Sequence, residues 1–172
     1  LAVSSTDTAP MLTALNASFV LQSMSGSRTV AADDFFIDFY TTAMKPNEVL
    51  TEIRVPLPMA GSGTAYVKLS HPASGYVVVS AGALITRQAS GSCALARVAL
   101  GGLGAGPIRA MVTEAELQGK PLTPEVIAGA AAKAAEETDP EGDTYASAEY
   151  KRHVATVYAQ RAIEAAVKRA VG

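Results

Sequence analysis

Between Pro46 and Ser70 the chain alternates in polarity. Val49, Ile53 and Val55 form an apolar row interrupted by Thr51, while Glu52 and Arg54 face the other way. A period of two predicts a half-buried strand. Pro56 and Pro58 end it, because proline has no N–H to give to a ladder. Past Gly61-Ser62-Gly63 the stretch from Ala65 to Leu69 is extended again, with Tyr66 and Lys68 on one face. The two runs are expected to pair as a β-hairpin with a long loop.

Taken in order, the chain opens with a short helix. Pro10 suits a first turn, and Met11, Leu12 and Leu15 recur at helical spacing up to Asn16. Ser18 to Gln22 alternates around Phe19 and Leu21, Gly26 turns the chain, and Arg28-Thr29-Val30 returns as a second short strand. Asp33-Asp34 before Phe35-Phe36 reads as an acidic cap followed by buried rings. Tyr76 to Thr86 is rich in β-branched residues, Ala89 to Ser92 supplies a turn, and Ala94 to Leu100 completes a second hairpin. Its apolar residues on both faces predict a sheet with one side covered by helices and little open to water. Helices are then expected over Ala110 to Leu117, closed by Gly119, and from Thr123-Pro124 to about Glu137. A last helix follows Ser147, with Val154, Val157, Tyr158, Arg161, Ala162, Ala165 and Val167 on one face and Lys151, Arg152, Lys168 and Arg169 elsewhere. The fold class is α+β: a small α/β piece over residues 1–45, then over 46–172 an antiparallel sheet with a layer of about three helices.

Composition narrows the partners. With 172 residues, 49% of them hydrophobic, the chain is long enough for a full core, and a net charge of −2 leaves no basic footprint for nucleic acid. A single cysteine, Cys93, excludes an internal disulfide and fits a reduced, cytoplasmic setting. The longest apolar run, from Tyr76 to Ile85, is too short to span a bilayer.

No self-contained catalytic set appears. The cluster Gly101-Gly102-Leu103-Gly104-Ala105-Gly106 lies between a strand and a helix, but Pro107 occupies the third glycine position of a dinucleotide loop and no Walker lysine follows. A structural turn is favoured. Asp139, Glu141 and Asp143 open like a calcium loop, yet Thr144 holds its glycine position and Tyr150 its bidentate position. His71 and His153 have no second ligand at metal spacing, and Cys93 reads as a small surface or packing residue in a turn.

A resemblance covers nearly the whole chain. Glu48-Val49-Leu50 with Ile53, Val55 and Pro56, a glycine-rich link, and Tyr66-Val67-Lys68 before a long apolar strand resemble the FAD-binding medium subunit of the molybdenum hydroxylases. Asp33 to Phe36, Tyr40-Thr41-Thr42, Ala96 to Gly104 with Pro107-Ile108-Arg109-Ala110, and Ala148 to His153 with Arg161-Ala162 agree in order and spacing. The resemblance implies FAD in this chain, [2Fe-2S] clusters in a small subunit, a molybdenum cofactor in a large one, and a dimer of heterotrimers. Electrons would pass from the clusters to FAD and on to an external acceptor, as in a carbon monoxide dehydrogenase medium chain. Asp7, Leu50 and Lys68 match FAD contacts of the family, and Tyr76 is expected to approach the flavin ring. Taken by themselves these are a helix cap, a strand residue, a surface charge and a loop aromatic. The loop Ser70 to Tyr76, SHPASGY, departs from the charged loops of other members. The family's phosphate motifs A-G-G-x-[ST] and T-I-G-G-N are absent, so the chain is expected to be a fragment or to be completed by another polypeptide. The alternative is an α+β interaction module that has lost its flavin site.

Overall fold

The computed structural model describes residues 6–170. Helix α1 (Thr8–Ala14) leads into β1 (Ser18–Ser23) and β2 (Gly26–Ala31), the expected first hairpin. Next come α2 (Ala32–Phe35), β3 (Phe36–Asp38), β4 (Thr41–Thr42) and β5 (Val49–Arg54). The second half runs through β6 (Ser62–Ser70), β7 (Val77–Arg87), β8 (Cys93–Gly101), β9 (Ile108–Arg109), α3 (Met111–Leu117), α4 (Pro124–Ala131) and α5 (Ala148–Arg169). The described strands form a three-stranded sheet β2-β1-β5, a two-stranded β3-β4 ribbon and a four-stranded sheet β6-β7-β8-β9. All pairs are antiparallel. The α+β reading holds.

The expected hairpin of the two runs around Gly61-Ser62-Gly63 does not form. Strand β5 pairs with β1, Leu50 opposite Leu21, and β6 pairs with β7, Lys68 opposite Ser80. The two prolines send the chain from one sheet to the other. A register shift at Val20/Leu21 also changes which side of β5 is inward. Val49, Ile53 and Val55, the row expected to be buried, are exposed, and Leu50 packs on the core instead.

Two cores result. The smaller holds Phe19, Leu21, Ala32 and Phe35, with the rings of Phe19 and Phe35 stacked at 4.0 Å. The acidic cap expected at Asp33-Asp34 is not made: Ala31 is the N-cap of α2 and no side chain caps it. Asp33 instead takes Arg97 at 3.0 Å and Arg109 at 2.8 Å. The larger core lies between β6-β7-β8 and the three C-terminal helices. Every residue of β7 from Val77 to Thr86 is buried, since α5 covers one face and α1 the other. Gly82 permits the second contact, because a Cβ there would meet Met11 Cα and Pro10 O at 3.2 Å.

The helices differ in detail from the periodicity. Thr123 caps α4 by accepting from Val126 N–H, but the α-helix stops at Ala131 and continues through turns with bonds such as Lys133 N–H to Ala130 O at 3.1 Å. Ser147 caps α5 as expected. Its buried face is Lys151, Val154, Ala155, Ala159, Ala162, Ile163 and Ala166, while Arg161 is exposed and lies over the Tyr158 ring at 5.1 Å. Alanines let α5 sit close on the sheet, so the larger Val157 and Tyr158 are displaced to the flank. Lys151 is not the surface charge its sequence position implied: its side chain is 10% exposed, held by Asp143 at 2.8 Å and by Glu141 O at 2.9 Å. Cys93 lies not in a turn but at the start of β8, fully buried, its N–H donating to Lys120 O at 2.9 Å.

Candidate functional site

The sheet face that receives α1 also carries the candidate site. Tyr66 and Lys68 are two apart on β6, so both side chains leave the same face. Helix α1, seated on β7 and β8, brings Asp7 to them. The Tyr66 hydroxyl donates to Asp7 Oδ1 at 2.7 Å, and Lys68 Nζ lies 2.8 Å from Oδ1 and 3.0 Å from Oδ2. Lys68 Nζ also donates to Gly75 O at 3.3 Å.

Charge follows this geometry. The Lys68 ammonium, then the Tyr66 hydroxyl, hold the Asp7 carboxyl below its ordinary range. Burial pushes the Tyr66 phenol up; the neighbouring Ser80 hydroxyl opposes this, and the Asp7 carboxylate adds to the rise. Asp7, expected as a helix cap, does occupy the N-cap position, but with φ −67° and ψ −32° it makes no side-chain cap, and its carboxylate binds β6 instead.

The loop after β6 is closed by its own backbone. His71 N–H donates to Tyr76 O and Gly75 N–H to His71 O, each at 2.8 Å. Gly75 has φ +71°, the left-handed region that glycine adopts without cost, which turns its carbonyl to Lys68. Tyr76 follows and is 61% exposed. A cavity of about 330 Å³ beside the loop is lined by His71, Tyr76, Gly102, Asp143, Tyr145 and Lys151.

The structure thus brings Asp7 and Lys68 together and sets Tyr76 beside their loop partner, Gly75. Leu50 stands apart on the β2-β1-β5 sheet, half-buried against the smaller core. Sequence reasoning missed Tyr66, Gly75 and Ser80 as members of this cluster. Tyr66 was legible, since it is two residues from Lys68 on an alternating strand. Ser80 was not: it faces Lys68 across the ladder, fully buried, its hydroxyl beside the Tyr66 phenol but without a hydrogen bond of good geometry. Among the described residues no group of three His, Cys, Asp or Glu side chains is placed to hold a metal ion.

Comparison with known proteins gives two family matches. Residues 1–58 match the FAD binding domain in molybdopterin dehydrogenase, and residues 64–166 match the CO dehydrogenase flavoprotein C-terminal domain. The carbon monoxide dehydrogenase medium chain of Afipia carboxidovorans is 34% identical over 95% of this chain and 57% of its own length. The glyceraldehyde dehydrogenase medium chain of Sulfolobus acidocaldarius is 35% identical over 90% of this chain and 54% of its own. A solved carbon monoxide dehydrogenase from Hydrogenophaga pseudoflava superposes with a TM-score of 0.92 and 35% identity, over 98% of this chain and 58% of that one. The chain spans a little over half the length of the relatives it matches. On the match over residues 64–166 and the fold it shares with these structures, the chain belongs to the FAD-binding medium-subunit family of the molybdenum hydroxylases.

Proposed function

We propose that this chain is the C-terminal portion of a medium subunit that takes electrons from [2Fe-2S] clusters to FAD and passes them to an external acceptor, in an enzyme of the carbon monoxide dehydrogenase type. The observation that carries the reading is the Lys68 ammonium, anchored by Asp7 on the sheet face and bonded to the carbonyl of Gly75, the residue before the exposed aromatic Tyr76. FAD supplies reversible two-electron chemistry and develops negative charge on its N1–C2=O side as it is reduced.

The residues fit such a group. Lys68 offers a cation whose side chain is 30% exposed, and Ser80 adds, on the same face, a buried hydroxyl without a well-formed hydrogen bond. Lys68 would bind and stabilise the negative edge, Asp7 would orient Lys68 and accept from a hydroxyl of the nucleotide, and Tyr76 would lie against the ring face and exclude water. Leu50 would contact FAD from β5. No residue of this chain is given a part in substrate oxidation, and the molybdenum cofactor belongs to a large subunit. We place the iron-sulfur clusters in a small subunit, the assembly as a dimer of heterotrimers, and the complex in the cytoplasm. No described helix is long and apolar enough to cross a membrane. The division between the two parts, expected at residues 45 and 46, we propose to lie after β5; the β1–β5 ladder supports that assignment.

Two measurements on the full-length subunit test this. Yellow flavin should copurify with it; a colourless folded subunit would favour an interaction module. Lys68→Met should lower the flavin midpoint potential and slow electron delivery, leaving substrate oxidation with an upstream artificial acceptor near normal. An unchanged potential removes Lys68 from the site.

A further inference from the structure

Tyr66 has no task in that reading, yet it closes the network. Its hydroxyl donates to Asp7 Oδ1 at 2.7 Å, and the Lys68 ammonium lies 2.8 Å from the same oxygen and 3.0 Å from Oδ2. The Asp7 side chain is 53% exposed and has no cap bond to its own helix, so these β6 contacts and not α1 set where the carboxylate points. A carboxylate that also accepts from a neutral donor has part of its charge taken up by that donor, and so neutralises the cation less completely than one that faces the cation alone. Burial, with Asp7 beside it, keeps the proton on the phenol, so Tyr66 acts as a donor throughout the neutral range.

We propose that Tyr66 is a positioning residue for Lys68: its hydroxyl ties the Asp7 carboxylate to β6 and so keeps the positive field of Lys68 available on the open side of the sheet face. The inference rests on Lys68 lying at the flavin. Without the hydroxyl, the whole of the Asp7 charge falls on the ammonium and less of its positive field reaches the open side.

The test is a redox titration of the flavin in the flavin-loaded full-length subunit. It compares wild type, Tyr66→Phe, Asp7→Asn, the double variant and Lys68→Met. Tyr66→Phe is expected to move the midpoint potential in the same direction as Lys68→Met, more negative but by less. Asp7→Asn is expected to move it the other way. The double variant should match Asp7→Asn, because the hydroxyl acts only through the carboxylate and the two effects are not additive. If Lys68→Met leaves the potential unchanged, the flavin reading falls and takes this inference with it. If Lys68→Met lowers it while Tyr66→Phe does not, only the role of Tyr66 is overturned. Tyr66 loses that role equally if the Tyr66→Phe shift survives in the Asp7→Asn background, or if the variant loses flavin while the retained flavin keeps its potential.

Discussion

Two carboxylates carry unequal burdens at the scale of single residues. Glu114 is nearly covered; it accepts from Val98 N–H at 2.8 Å and is paired with Arg109, whose guanidinium also reaches Asp33 at 2.8 Å. Glu114→Ala would leave an orphaned amide inside the α3–β8 contact and a guanidinium with Asp33 as its remaining carboxylate partner. Urea denaturation should show a loss of about 1–3 kcal/mol, the range for leaving a buried polar group unsatisfied. Asp143 is different, because it is half open to water and its role is to hold Lys151. The Lys151 ammonium, helped by the N–H groups of Ala146 and Tyr145, depresses its carboxyl to about 2. In Lys151→Met the two amides remain, so an NMR titration should find the Asp143 carboxyl higher than in wild type but still below the usual carboxylate range. An unmoved value would mean that the amides alone hold it.

Close approach decides the element scale. Helix α5 crosses β6 at Gly63, where an added Cβ would strike backbone atoms of Ala166 and Ala170 and come within 2.7 Å of Arg169 C. Gly63→Ala therefore has to lift the helix from the sheet, at a cost of about 1–3 kcal/mol by the usual penalty for overpacking. A thermal melt followed by circular dichroism reads it. The other end of α5 is secured by Ser147, whose hydroxyl accepts from Tyr150 N–H at 3.1 Å. Ser147→Ala should cost about 1 kcal/mol. Helix α1 is short, but it is fixed at its far end by Arg97, which donates to Thr13 O at 2.8 Å and Ala14 O at 3.2 Å. Asp7 is thereby held over β6 by a residue of β8.

The whole molecule joins its two cores through that same cluster, since Asp33 of α2 meets Arg97 of β8 and Arg109 of β9. Its response to pH follows from three carboxyls held at about 2: Glu48 by Arg28, Glu116 by Lys120 and Lys133, and Asp143 by Lys151. Each folded value lies below the unfolded one, so their contribution is complete above the unfolded range near ~4 and is lost as pH falls toward 2. Urea midpoints measured from pH 6 downward should begin to drop below about pH 4; a flat profile would contradict these pairs. Cys93 reports the opposite face of the same physics. Its thiol is fully buried and is pushed up to about 11 by burial. At pH 8 it should resist alkylation in the native protein and react on unfolding.

Alternation, caps and turn glycines along the chain determined β1, β2 and β5 to β8, the Thr123 and Ser147 helix starts and the α+β class, because these depend on neighbours a few residues apart. The motif order from Asp33 to Ala162 determined the family and singled out Lys68. Only the tertiary structure decided that β5 pairs with β1 and not with β6, since strand partners are chosen by which faces can be buried together and both runs carried a similar pattern. It also decided the buried face of α5, where alanine's small size outweighed the larger apolar residues beside it, and turned Lys151 from a surface charge into a buried one. The meeting of Asp7 with Tyr66 and Lys68, 59 and 61 positions away, was likewise set by the seating of α1 on Gly82, a close approach between backbones that no local pattern encodes.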